Sequence, residues 1–225
     1  MSSTSNTNEN YFTSETLNSI RNKLVTPTTT ENNNIAGIDN EVTKFSTGAV
    51  RDIQENKGRC DLLPLSTIGS LINQYKSNCS EISKLSEGDM ILNIFDCIHN
   101  YVYTGLPYNL QEAICLFVLH SSTWADIDIN NKIYYAILDV SKHFKNGTEK
   151  YGERNWEKGI PLHSYIDSGV RHLLKCLANI TDERHDLAFI WNMLCCIHTQ
   201  KYIACIDKEE LKDLPYYKNL THRES

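Results

Sequence analysis

Thr181-Asp-Glu-Arg-His-Asp-Leu-Ala-Phe-Ile-Trp-Asn-Met-Leu-Cys-Cys-Ile-His198 decides how this chain is read. Its acidic opening complements the positive end of a helix, and the apolar run behind it is too long for a strand. A helix over about 182–198 follows, with Thr181 and Asp182 as its capping residues. The same helical period recurs upstream. Pro64 to Lys76, Ser86 to Tyr103, Asn109 to His120, Asn131 to Phe144 and Pro161 to Leu177 each repeat apolar residues at three and four. Gly105-Leu-Pro-Tyr108 and Asp126-Ile-Asp-Ile-Asn-Asn131 separate them, Gly147 and Gly152 are read as ending the fourth, and no alternating strand pattern exceeds four residues. The expected fold is all-α, a bundle of about six helices over residues 45–225. Residues 1–44, rich in Ser, Thr and Asn, are read as a polar arm that buries too little apolar surface to order itself.

Composition narrows function. A net charge of −6 on 225 residues, with Lys and Arg scattered, argues against a long nucleic-acid footprint. No run reaches the ~18 apolar residues of a membrane span. The first residues lack the basic and apolar regions of a secretory signal, so a cytoplasmic location with reduced thiols is expected for the eight cysteines. No Cys-x-x-Cys pair is present, so a thiolate zinc cage is not expected. The four Asn-x-Ser/Thr sequons are then chance matches.

Polar chemistry concentrates in three strings: Lys150-Tyr-Gly-Glu-Arg-Asn-Trp-Glu-Lys-Gly159, Arg171-His172 and Asp182-Glu-Arg-His-Asp186. Together they hold five carboxylates, two histidines and five basic side chains. Asp182, Glu183 and Asp186, placed on the first turns of a helix, can address one face, where they hold Mg²⁺ or simply complement the helix dipole. His185 and Asn192 flank that face. Asp167 and Arg171 are four apart, so Arg171 either grips a phosphate or pairs with Asp167. His172 is read as a packed histidine or a ligand. Tyr151, Asn155 and Trp156 make a surface on which a base can stack and pair, unless Trp156 plugs the bundle and Asn155 caps a turn. Lys150 stands beside them. Lys57 and Arg59, in a short loop that is not a phosphate-binding Walker motif, are further candidates for a triphosphate.

Four strings stand together: Gly48-Ala-Val-Arg-Asp-Ile-Gln-Glu-Asn-Lys-Gly-Arg-Cys-Asp-Leu-Leu-Pro64, Lys150 to Pro161, Tyr165-Ile-Asp-Ser-Gly-Val-Arg-His172 and His185 to Cys196. They resemble a phage and prophage family named for a dATP/dGTP diphosphohydrolase N-terminal domain. The resemblance spans roughly residues 45–216 and leaves out the arm. It implies an all-α, MazG-like pyrophosphohydrolase of a bacterial host's cytoplasm, phage- or prophage-encoded. Its implied ligands are a purine nucleotide and Mg²⁺ or Mn²⁺, and a homo-oligomer is expected. MazG-like enzymes hold the metal with Glu-x-x-Glu and a later Glu-x-x-Asp. Glu183-Arg-His-Asp186 matches the second half. The first is not spelled here, since Glu149 and Glu153 are four apart around a glycine, leaving Asp167 or His172 to complete the site.

Three readings result. The first is a metal-dependent hydrolase of dATP or dGTP using Glu183, Asp186, Asp167 and His172. Phosphates would meet Arg171, Lys57 and Arg59, and the purine Trp156 and Asn155. The second is a non-catalytic protein that sequesters a nucleotide, including a signalling nucleotide of antiviral defence. The third is an interaction protein using the polar arm and the apolar helix at Asn109–His120.

Overall fold

The structure, a computed structural model, describes residues 42–53, 56–203, 205 and 208–217. The expected arm at 1–44 lies almost wholly outside them. The chain divides into two units, at Asp52 and Ile53. Of the first, the described part is a short antiparallel hairpin of β1 (Val42–Lys44) and β2 (Val50–Asp52), with Thr43 opposite Arg51. Its strands are three residues long, too short to show the alternation by which a strand is read.

The second unit holds six α-helices among its described residues: α1 (Leu65–Ile82), α2 (Glu87–Thr104), α3 (Pro107–His120), α4 (Lys132–Tyr151), α5 (Leu162–Leu177) and α6 (His185–Ile203). The all-α bundle expected from periodicity is the fold observed. The Ser86 hydroxyl accepts the Asp89 N–H and caps α2, and Gly105, in the left-handed region at φ 66°, ends it. Asn179, left-handed at φ 54°, ends α5, where the Ile180 N–H donates to the Lys175 carbonyl.

Layering follows from how apolar each helix is. In α3 all nine residues from Leu110 to Leu119 other than Glu112 are buried, and in α6 burial covers every side from His185 to Cys196 except Trp191. A helix apolar all round must lie inside. The other four bury one stripe each, such as Ile133, Ala136, Val140 and Phe144 of α4, and wrap the two inner helices. Each fully buried Leu, Ile or Phe side chain contributes roughly 1.5–3 kcal/mol. Asn109–His120 is therefore core, and the proposal that this helix offers an apolar docking face is corrected.

Two helix limits differ from the sequence reading, and both matter for function. α4 runs through Gly147 to Tyr151 before Gly152, at φ 85°, stops it. α6 begins at His185, three residues later than its acidic string suggested, so Asp182 and Glu183 sit in the connecting segment rather than on the helix.

The segment before α1 is strapped across α4. The Arg59 N–H donates to the Ser141 carbonyl at 3.1 Å, and Gly58 lies so close that an added Cβ would stand 1.8 Å from Ser141 Oγ and 2.7 Å from the Lys142 nitrogen. The backbone of α4 cannot yield as a side-chain end can. Gly58→Ala is expected to destabilise the fold by about 1–3 kcal/mol, the usual cost of overpacking, read as a lower urea midpoint at unchanged slope.

Candidate functional site

A cavity of about 480 Å³ opens where the C-terminal half of α4, the elbow after it, α5 and the start of α6 meet. That volume falls in the usual range of small-molecule sites. One face of α4 supplies His143, Asn146, Gly147, Lys150 and Tyr151, spaced three and four apart as a single helical side requires. Ser168 and His172, four apart, come from α5, and Ala188, Trp191 and Asn192 from α6. Arg154, Asn155 and Trp156 line it from the elbow, where a 3₁₀ turn spans Asn155–Lys158. The floor is aromatic, with Phe144 packed at an angle to both Trp156 and Trp191.

Glu183 and His172 are among the polar groups that line the cavity. Behind them His185 has a side chain only 1 % exposed. His172 Nδ1 and His185 Nδ1 are 2.9 Å apart, and Glu183 Oε1 lies 3.6 Å from the first and 3.3 Å from the second. The far nitrogen of His185, Nε2, meets Asp182 Oδ1 at 2.5 Å. When the neutral His185 ring donates its Nε2–H to Asp182, its Nδ1 lone pair faces His172 and Glu183. Asp182 is held below the usual carboxylate range by that hydrogen bond first, against an opposing desolvation, with Lys175 adding to it. His172, Glu183 and His185 present one donor atom each within 4.8 Å of one another, a group that can hold a metal ion.

Asp186 takes no part. Its carboxylate accepts from the Thr123 hydroxyl at 2.8 Å and from the Arg184 guanidinium at 2.9 and 2.7 Å. Burial works to raise its pKa, but those hydrogen bonds outweigh it and hold the group low. The expected metal set of Asp182, Glu183 and Asp186 is thus divided: Glu183 faces the two histidines, Asp182 backs His185, and Asp186 ties α6 to the turn at Ser122–Trp124.

The remaining candidates separate similarly. Lys150, Tyr151, Asn155, Trp156 and Asn192 line the cavity. Trp156 is 6 % exposed and meets the His198 ring edge-on, so it is a wall of the cavity and a plug of the bundle at once. Asp167 and Arg171 form an exposed ion pair with each other and are not among the lining residues. Arg59 is taken up by Asp61 and Glu153, at 2.7 and 2.8 Å, and Lys57 does not line the cavity either. The sequence reading missed His143, Asn146, Ser168 and Trp191. For Asn146 the signal was present in the spacing of 143, 146, 147, 150 and 151, but a helix read as ending at Phe144 hides it; Ser168 and Trp191 reach the cavity through helix packing.

Fold and site together define an all-α protein with a cavity lined by Phe144, Trp156 and Trp191 and by His172 and Glu183, the last two in contact with the buried His185. Residues 125–210 match the family model described as dATP/dGTP diphosphohydrolase, N-terminal. This is the family that the sequence strings resemble, and the match takes in α4, α5 and α6 and every cavity-lining residue but Leu62. The Gly48–Pro64 string lies outside it. Comparison with curated proteins and with solved structures returns no match. No described helix is long and apolar enough to cross a membrane.

Burial lowers the pKa of His143, His172 and His198, against opposing attraction from Glu183 on the first two and Glu157 on the third. A histidine whose folded pKa lies below its unfolded value of ~6.5 binds its proton more tightly when unfolded. Stability is therefore full above that value and is lost as pH falls through it. Melting temperature is expected to drop between pH 7.5 and 5.5, and His143→Gln with His198→Gln should flatten that drop in a pH series of thermal melts.

Proposed function

We propose that this cavity binds a purine nucleoside triphosphate, dATP or dGTP, and that the protein hydrolyses it in a divalent-metal-dependent reaction to the nucleoside monophosphate and pyrophosphate. The observation that carries the reading is the coincidence of the cavity with the family-matched stretch: aromatic, acidic and imidazole side chains line it together, all but one lining residue within 125–210.

The residues divide the work by chemistry. Trp191 and Phe144 offer apolar surface to the base, and the amides of Asn146, Asn155 and Asn192 offer donors and acceptors to its edge. Asn192 spends one N–H on the Ala188 carbonyl at 2.8 Å and keeps its oxygen for other partners. Of the two exposed lining cations Arg154 is paired with Glu157, while Lys150, its ammonium 5.0 Å from the Tyr151 ring centroid, suits a phosphate chain. A divalent ion, when bound, neutralises phosphate oxygens and acidifies water. His172, His185 and Glu183 are the residues that would hold it. Water adds to the α-phosphorus as the bond to the β-phosphate oxygen breaks, and the proton leaving that water goes to His143. Burial keeps its imidazole unprotonated at neutral pH, as an acceptor must be.

The locked state of Asp186 favours one second reading, nucleotide binding without turnover, because the expected acidic pair is not assembled. One pair of measurements separates the two. Purified protein with dATP or dGTP and a divalent ion is expected to release pyrophosphate, and Glu183→Gln to lose about 100-fold or more of the rate, as loss of a group that stabilises developing charge does. Nucleotide should also raise the melting temperature. A raised melting temperature with the nucleotide recovered intact selects binding alone. No shift and no pyrophosphate sinks both readings.

A further inference from the structure

The chemistry expected of a MazG-like site is Mg²⁺ held by carboxylates, and this site does not fit it. Mg²⁺ takes six oxygen ligands in an octahedron, one or two of them carboxylates and the rest water or phosphate, and imidazole nitrogens are not its usual partners. Of the three acids in Asp182–Asp186, only Glu183 offers an oxygen to the cluster, since Asp186 is bound to Arg184 and Thr123 and Asp182 to His185. The other two donors are imidazole nitrogens. Two nitrogens and one carboxylate, with the remaining positions open toward a cavity, form the set that first-row transition ions take.

The distances agree. Donors sharing one tetrahedral ion at ~2.0–2.1 Å stand about 3.3 Å from each other. The separations here, 2.9, 3.3 and 3.6 Å, bracket that value. The outer layer agrees as well. Metal-bound histidines commonly donate their second N–H to a carboxylate, which fixes the tautomer and raises the basicity of the bound nitrogen. His185 does this with Asp182 while its Nδ1 faces the cluster. His185 is buried, so its ring is held in place before any ion arrives.

We propose that His172, Glu183 and His185 are the ligands of an imidazole-preferring transition-metal ion, Zn²⁺ above all, with Asp182 as the positioning residue behind His185, and that Mg²⁺ is not the resident ion. The inference rests on the hydrolytic reading for its purpose, but its test requires no substrate.

The full chain, stripped of metal by chelator, is titrated with Co²⁺ and followed by visible absorption. One Co²⁺ per chain is expected, with the strong bands of a four- or five-coordinate ion bearing nitrogen ligands. Zn²⁺ displaces it and millimolar Mg²⁺ does not. His172→Leu and Glu183→Gln should each abolish the strong bands, and Glu183 is half-exposed, so its replacement leaves the fold intact. Asp182→Asn should weaken Co²⁺ binding about 10–100-fold with the melting temperature of the metal-free protein unchanged, and Asp182→Glu should restore it. Asp186→Asn should lower the melting temperature and leave Co²⁺ affinity alone. Absence of Co²⁺ binding, equal binding after His172→Leu, or displacement by Mg²⁺ overturns the inference. Hydrolysis supported by Mg²⁺ and indifferent to His172→Leu overturns it too, while leaving the hydrolytic reading standing. An intact Co²⁺ site in a protein that hydrolyses no nucleotide has the reverse effect.

Discussion

The contact on which the site depends is the close crossing of α5 and α6. Gly169 faces Met193 and Asn192 there, and a Cβ on it would stand 2.3 Å from Met193 Cε and 3.4 Å from Asn192 Cβ. Without a side chain at 169 the two helices approach closely, and one turn further along α5 His172 comes to within 2.9 Å of His185, near the first turn of α6. A wider spacing would leave two separate histidines instead of a pair able to share one ion. The same crossing places Asn192 at the cavity wall. Close packing of these helices and the geometry of the site are one constraint.

The second determinant is where α6 starts. Had the helix begun at Asp182, Glu183 and Asp186 would have been neighbours three apart, pointing the same way. Because the backbone is not helical until His185, Asp182 and Glu183 are free to fold back over the ring of His185, one to each side. Asp186, inside the helix, is engaged by Thr123 and neutralised by Arg184. A string of acids that reads as one ligand group thus becomes a ligand, a support for a ligand and an anchor of the fold.

Helices were legible because their physics is local. Apolar period, Pro and Gly punctuation and a capping serine are properties of a few adjacent residues, and the six spans follow from them. Boundaries were less so: α4 continues past Gly147, whose helical conformation costs only about 1 kcal/mol against alanine, and that cost is met by the packing of Phe144 and Trp156. The error concealed that Asn146, Gly147, Lys150 and Tyr151 continue the face of α4 on which His143 lies. The apolar character of α3 was plain, but whether such a helix is covered by its own chain or by a partner is a question of neighbours, which periodicity does not answer.

The sequence by itself determined that the chain is helical, that its polar chemistry is concentrated between residues 150 and 186, and which family its strings resemble, since each of these lies in residue types and their spacing. Tertiary structure decided which of those polar groups meet. Arg171 and Asp167 spend their charges on each other, Arg59 on Asp61 and Glu153, and Asp186 on Arg184, because an ion pair forms with whatever partner the backbone brings into reach. His172, Glu183 and His185 converge through helix packing and one non-helical turn, and no spacing rule along the chain contains that meeting.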